Sequence, residues 1–250
     1  MGNIFLEHTF FRHIEADKQY LSSQLSKILK DPGRHLDHTE TQILQANFKS
    51  KIGAIWVDGR KIVIKRHNYK SNWHKFKRLF RKTRASRSWK YSRLLKGNDI
   101  LVPPPVGFVE TRIGPLRLES YYLYEHVDGI RGDAYFHRYR HEPGRIEKAM
   151  ASIVDLVVRI RALGLIHGDV RVANLIFSDD RIWLLDFDDM RPIRWYKPAR
   201  VRQRDIRGLR KDIGYNIPDA IQKDFYRRLD ELEMEAPLTK RLRPRLPPGK

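Results

Sequence analysis

Residues 165–189, LIHGDVRVANLIFSDDRIWLLDFDD, constrain this chain more than any other stretch. Two apolar runs, LIF and IWLLDF, flank Ser178-Asp179-Asp180 and read as short strands joined in a hairpin. His167, Gly168, Asp169 and Asn174 precede the first run, and Asp186-Phe187-Asp188 closes the second. Upstream, Ile146, Met150, Ile153, Val154, Val157, Ile160 and Leu163 form one apolar stripe, so residues 145–163 are predicted to be a helix. A generic polar loop would not hold three oxygen-bearing side chains at such offsets between a helix and two strands.

The set fits phosphoryl transfer. That chemistry needs a carboxylate to orient and deprotonate an acceptor hydroxyl, and oxygen ligands for the Mg²⁺ carried by ATP. Asp169 fits the catalytic base, and Asn174 and Asp186 fit the metal ligands. The pattern follows H-R-D-L-x-x-x-N with Gly168 in place of Arg, and D-F-G with Asp188 in place of Gly. In regulated protein kinases that Arg commonly reads a phosphorylated loop. Gly168 cannot, which favours a small-molecule acceptor. Arg171 stands where it could neutralise the transferred phosphate, against a plain reading as a surface arginine.

The first half reads as β-rich. Residues 12–30 carry Ile14, Leu21, Leu25, Ile28 and Leu29 near helical spacing, which predicts an N-terminal helix ended by Asp31-Pro32-Gly33. IGAIWV and KIVIK flank Asp58-Gly59, a hairpin signal. Lys65 follows Val63-Ile64 as the V-A-I-K lysine that pairs with ATP phosphates does. No GxGxxG precedes it, so Asn47 to Gly53 is expected to cover the phosphates. No acid lies between residues 59 and 98, so either Asp99, Glu110 or Glu119 reaches Lys65, or Lys65 works unpaired. Residues 60–93 hold fourteen Lys+Arg, and Trp73, Phe76 and Phe80 within them predict an amphipathic helix over much of the run. After Pro103-Pro104-Pro105 come two strand-like segments. The second leads into YYLYEHVDG, where the backbone of Glu125 and Val127 could hydrogen-bond adenine. Residues 129–144 read as loop, and 203–213 and 217–235 as helices. The tail, PLTKRLRPRLPPGK, reads as disordered.

The order of elements implies an α+β, bilobal protein-kinase-like fold in one domain spanning 1–250. A small β-rich lobe with an N-terminal helix would cover 1–125, a mostly helical lobe 126–235, and a basic Pro-rich tail 236–250. Composition narrows the partners. Fifty Lys+Arg against thirty Asp+Glu give +20, which favours nucleic acid, an acidic membrane surface or a phosphorylated substrate. The absence of cysteine excludes disulfides and thiolate chemistry. The N-terminus lacks the basic-then-apolar pattern of a signal peptide, and Leu6 stands where a myristoylation signal wants Ser or Thr. No apolar stretch reaches membrane-spanning length, so any membrane contact would be peripheral.

Six stretches together resemble the bacterial lipopolysaccharide core kinases, the Kdo/heptose kinase family. They are VIKRH at 63–67, FRKTRASRSWKYSRLL at 80–95, ILVPPPVGFVE at 100–110, SYYLYE at 120–125, HGDVRVANL at 167–175 and LLDFDD at 184–189. RDIRGLRKDI at 204–213 extends the resemblance, which covers roughly residues 43–215. It implies ATP-dependent phosphorylation of a heptose or Kdo hydroxyl on lipid A–core oligosaccharide, with ATP and Mg²⁺ as cofactors. Asp169, Asn174, Asp186 and Lys65 match the family's functional positions. The implied location is the cytoplasmic face of the inner membrane, in peripheral contact with anionic lipid and with no specific nucleic acid as partner. A basic protein would be drawn to such a surface by on the order of 1 kcal/mol per basic side chain. The alternatives are an atypical, RIO-like protein kinase and a catalytically inactive binding module.

Overall fold

Alternation of apolar and polar residues, not helical spacing, governs the start of the chain. In Arg12–Asp17 only Ile14 and Ala16 are buried, so the segment is a strand, β2, and not the first turn of the predicted 12–30 helix. It pairs antiparallel with β1 (Ile4–His8). The helix, α1, spans only Ser23–Lys30; the Ser22 hydroxyl accepts the Leu25 N–H at 3.0 Å and caps it. Asp31 caps the short α2 (Pro32–Leu36), accepting from the Arg34 N–H. These features come from a computed structural model that describes residues 3–48, 50–68, 79–179, 181–194, 203–216 and 219–234.

Five further strands complete an antiparallel sheet: β3 (Gln42–Ala46), β4 (Ser50–Val57), β5 (Arg60–His67), β6 (Pro105–Ile113) and β7 (Leu116–Glu125). The order is β1-β2-β6-β7-β5-β4-β3. Asp58 and Gly59 both have positive φ, 49° and 75°, as a tight two-residue hairpin turn requires. Gly53 lies within β4 and not in the loop expected to cover phosphates. A Cβ there would sit 2.5 Å from Thr41 Cγ2 and 2.8 Å from Leu36 Cδ1, so close packing explains the glycine.

The two faces of the sheet bury different partners. One packs Ile14, Ile62, Ile64, Val109 and Leu123 against Leu25, Ile28 and Leu29 of α1 and Leu36 of α2. Each such side chain contributes about 1.5–3 kcal/mol on burial. The other face presents Phe108 and Tyr122 to Ala85 and Trp89 of α3 (Arg84–Lys96). Among the described residues of the basic run, Arg60–His67 is strand, Arg84–Arg93 is helix, and Phe80 stands exposed before that helix. Trp73 and Phe76 lie outside the described residues, as does the 236–250 tail. Trp89 also donates its indole N–H to Glu15 Oε2 at 2.8 Å, and Glu15 pairs with His13 at 3.1 Å. Burial alone would raise the Glu15 carboxyl, but these hydrogen bonds outweigh it and hold it below the ordinary glutamate value.

The rest is mainly helical. Where a loop was expected after Gly129, the chain forms β8 (Ile130–Arg131) and α4 (Gly132–Arg138). Phe136 is fully buried and Tyr135 stacks on Phe177 at 4.1 Å, contacts that a Gly- and Asp-rich sequence does not advertise. The predicted helix is α5 (Pro143–Ala162). After β9 (Leu165–Ile166) come the hairpin strands β10 (Leu175–Ser178) and β11 (Arg181–Leu184), paired from Leu175↔Leu184 to Ser178↔Arg181. Then follow β12 (Arg191–Pro192), paired with β9, and the predicted pair α6 (Arg204–Asn216) and α7 (Asp219–Met234). Among the described residues no helix is long and apolar enough to cross a membrane.

The chain divides into two compact units. The first contains the described residues of Met1–Arg93 and Pro103–His126, and the second those of Leu94–Val102 and Val127–Leu246. Glu15→Ala is expected to lower stability in urea by about 1–3 kcal/mol, because a buried indole N–H loses its acceptor. A depressed carboxyl stabilises above its unfolded pKa and loses that effect as pH falls through its folded value. The gap between wild type and variant, followed by far-ultraviolet circular dichroism, should therefore narrow in acid.

Candidate active site

The second unit builds its polar cluster from one buried carboxylate. Asp205, near the start of α6, is only 3% exposed. Its two oxygens accept the backbone N–H groups of His167 at 2.7 Å and Gly168 at 2.6 Å. Water does not reach these amides, so Asp205 fixes the loop that leaves β9. The His167 ring donates from Nε2 to the Leu185 carbonyl at 3.0 Å and stands edge-on to buried Phe187. One histidine thus ties the 167–174 loop to the 185–188 segment.

Gly168 is required by the backbone. Its φ is +91°, and a Cβ would lie 2.8 Å from the Asp189 carbonyl oxygen. No side chain fits there, arginine included. One residue on, the Asp169 carboxylate accepts from Asn174 Nδ2 at 3.2 Å, and the same amide donates to the Asp169 carbonyl at 2.9 Å. The Asn174 carbonyl accepts the Leu185 N–H at 2.9 Å. That bond brings Asn174 to the residue preceding Asp186. Asp186 holds φ at +63°, a left-handed conformation that costs a non-glycine residue on the order of 1–3 kcal/mol. Asp169, Asn174 and the Asp186 segment are thus brought together by the hairpin. The Asn174 amide, engaged through nitrogen, keeps Oδ1 for a cation. An amide oxygen and an Asp186 carboxylate would make an oxygen-only donor set of the kind that suits Mg²⁺, which takes few protein ligands and completes its shell with phosphate and water. Among the described residues no group of three or more His, Cys, Asp or Glu gathers as a protein-only metal cage would.

Arg171 lies 3.8 Å from Asp212 Oδ1 with over half its side chain exposed, and Asp212 also accepts the Val172 N–H at 2.6 Å. Asp205 and Asp212 were not singled out from sequence. The signal was present: two acids seven apart share one face of a helix that is otherwise basic.

In the first unit Lys65 is nine-tenths buried on β5, opposite Tyr122 of β7. Two of the acids considered for it have other partners. Glu110 accepts from Thr83 and Arg112 with Arg117 3.6 Å away, and Glu119 accepts the Tyr121 hydroxyl. Asp99 belongs to the second unit, where its carbonyl accepts from Arg159. The Glu125 N–H donates to the Pro104 carbonyl at 2.9 Å, so that amide is already engaged. Val127 opens the second unit.

A model of the lipopolysaccharide kinase (Kdo/WaaP) family matches residues 13–228. Among solved structures, the chain is similar to WaaP in complex with acyl carrier protein. The TM-score is 0.60 at 18% identity, over 87% of this chain and 89% of that one. It also matches the PknI kinase domain of Mycobacterium tuberculosis at 15% identity, with a TM-score of 0.47 over 72% of this chain and 74% of that one. No curated protein matches. The fold is α+β and protein-kinase-like.

Asp205→Asn leaves one of two buried amides without an acceptor and should destabilise by about 1–3 kcal/mol. Hydrogen exchange should accelerate at the His167 and Gly168 amides and stay unchanged in the seven-stranded sheet. Equal exchange at those two amides would remove Asp205 from this role.

Proposed function

The chain belongs to the lipopolysaccharide kinase (Kdo/WaaP) family, and from that premise we propose that it moves the γ-phosphate of ATP to a heptose or Kdo hydroxyl of the lipopolysaccharide inner core. The observation that carries this reading is the Asn174–Asp169 hydrogen bond, joined through the Asn174 carbonyl to the strand end that presents Asp186. In this reading Asp169 orients the sugar hydroxyl and takes its proton at a carboxylate oxygen as the phosphoryl group transfers. Asn174 and Asp186 hold Mg²⁺, which neutralises charge on the phosphates when bound. Lys65 pairs with those phosphates, and the backbone of Glu125 and Val127 receives adenine. Arg171, which lies 3.8 Å from Asp212, neutralises the transferred group in this reading.

Phosphate transfer to a lipid-linked acceptor fits a site at the cytoplasmic face of the inner membrane. The net charge of +20 supports peripheral attraction to anionic lipid. So do the exposed Phe10 and Phe11 on the β1–β2 turn beside exposed Ile113 at the β6–β7 turn. The Phe10 carbonyl accepts the Gly114 N–H at 2.9 Å, which joins the two turns.

The test supplies Mg²⁺ and labelled ATP with core oligosaccharide, casein or buffer alone. Label should enter the oligosaccharide, and Asp169→Ala should lower kcat by about 10²–10⁴-fold. Label in casein alone would favour a protein kinase. Absence of ATP binding would leave a binding module.

A further inference from the structure

The first unit holds a cavity of about 320 Å³ to which none of the roles above is assigned. Its walls carry Arg81, Lys82, Arg84 and Arg87, with His67, Asn68 and the hydroxyls of Thr83 and Ser120. Each of these side chains carries an N–H or O–H, that of Thr83 being donated to Glu110, and no acid lines the cavity among the described residues.

The sequence explains how the donors converge. His67 lies two residues past Lys65, so strand alternation turns it to the sheet face that packs α3. The Thr83 hydroxyl accepts the Ser86 N–H at 3.1 Å and starts that helix, whose positive dipole end therefore opens beside the cavity. Arg84 and Arg87, three apart, share a helix face. Four cations around one cavity repel one another unless an anion joins them. Glu110 is the nearby acid, but it is 1% exposed, accepts from Thr83, and is engaged by Arg112 and Arg117. Arg81 and Lys82 form no ion pair among the described residues. The Arg87 Nε is buried without a hydrogen-bond partner.

We propose that this cavity binds a phosphate monoester carried by the acceptor saccharide, distinct from the phosphates of ATP. Several oxygens on one tetrahedral group satisfy several convergent donors, and guanidinium forks bind them in pairs. The volume suits a phosphorylated sugar unit better than a bare ion. The saccharide as source rests on the proposed function, whereas the phosphate site rests on the cavity alone. A phosphate-bearing lipid headgroup offers the same chemistry and is the source to be distinguished.

The experiment titrates the full chain calorimetrically with phosphorylated core oligosaccharide and with its phosphatase-treated form, both in saturating Mg²⁺–AMP-PNP. The phosphorylated form should bind at least tenfold more tightly. The double variant Arg81→Ala, Arg87→Ala should erase that preference, and the exposed single variant Lys82→Ala should reduce it with an unchanged circular dichroism spectrum. Equal affinity for the two forms, or a preference surviving in both variants, overturns the proposal. So does competition by the nucleotide. In parallel, vesicles of phosphatidylcholine with phosphatidic acid are sedimented with each variant. Loss of vesicle binding with the saccharide preference intact assigns the cavity to lipid and also overturns it. Asp169→Asn should retain the preference. A wild-type chain that shows the preference yet transfers no phosphate keeps this site while removing the kinase reading.

Discussion

The Asp205 carboxylate accepts two backbone amides that water cannot reach, and the polar cluster of the second unit follows from it. With His167 and Gly168 held, the chain turns through a positive φ that only glycine takes without strain. That turn delivers Asp169 to Asn174. His167 then reaches across to Leu185, and the Asn174 carbonyl fixes the same segment from the other side. Both bonds land on Leu185, and Asp186 follows it in a left-handed conformation. A strained residue whose preceding neighbour is anchored twice keeps its direction, and direction is what an oxygen ligand must supply.

The first unit follows a different electrostatic logic. Its helix α3 presents buried Ser88 and Ser92 and no acid at all. What ties the helix to the sheet is Glu15, which reaches Trp89 from the sheet side. Placing the carboxylate on a strand leaves the helix free to be uniformly basic. That arrangement concentrates positive charge at the N-terminal end of α3, where the helix dipole already points the same way.

Much of this was legible in the residues. Asp-Gly between alternating strands specified the β4–β5 hairpin, and the stripe from Ile146 to Ile160 specified α5. The LIF and IWLL runs specified β10 and β11 and the offsets of Asp169, Asn174 and Asp186. What escaped depended on partners distant in sequence. Ile14 and Ala16 needed β6 to declare themselves strand residues, since Leu21 and Leu25 offered a competing helical spacing. Gly53 looked like loop glycine because the side chains of Leu36 and Thr41 that crowd it are not adjacent in sequence. Gly168 looked like a lost arginine, although the nearby Asp189 carbonyl leaves no room for any side chain. Asp205 carried no local signal beyond its spacing to Asp212.

The chain leaves the first unit at Leu94, returns at Pro103, and leaves again at Val127. No single cut separates the units, and synthesis cannot finish them in turn. The sheet lacks its β6–β7 pair until residue 125 has emerged from the ribosome. The segment after α3 waits longer still, because the Leu101 carbonyl accepts the Leu184 N–H and the Asp99 carbonyl accepts from Arg159. At about 5–20 residues per second, that wait spans several seconds of translation. Through it, the segment that follows α3 lacks its second-unit partners and stands open to chaperones and proteases.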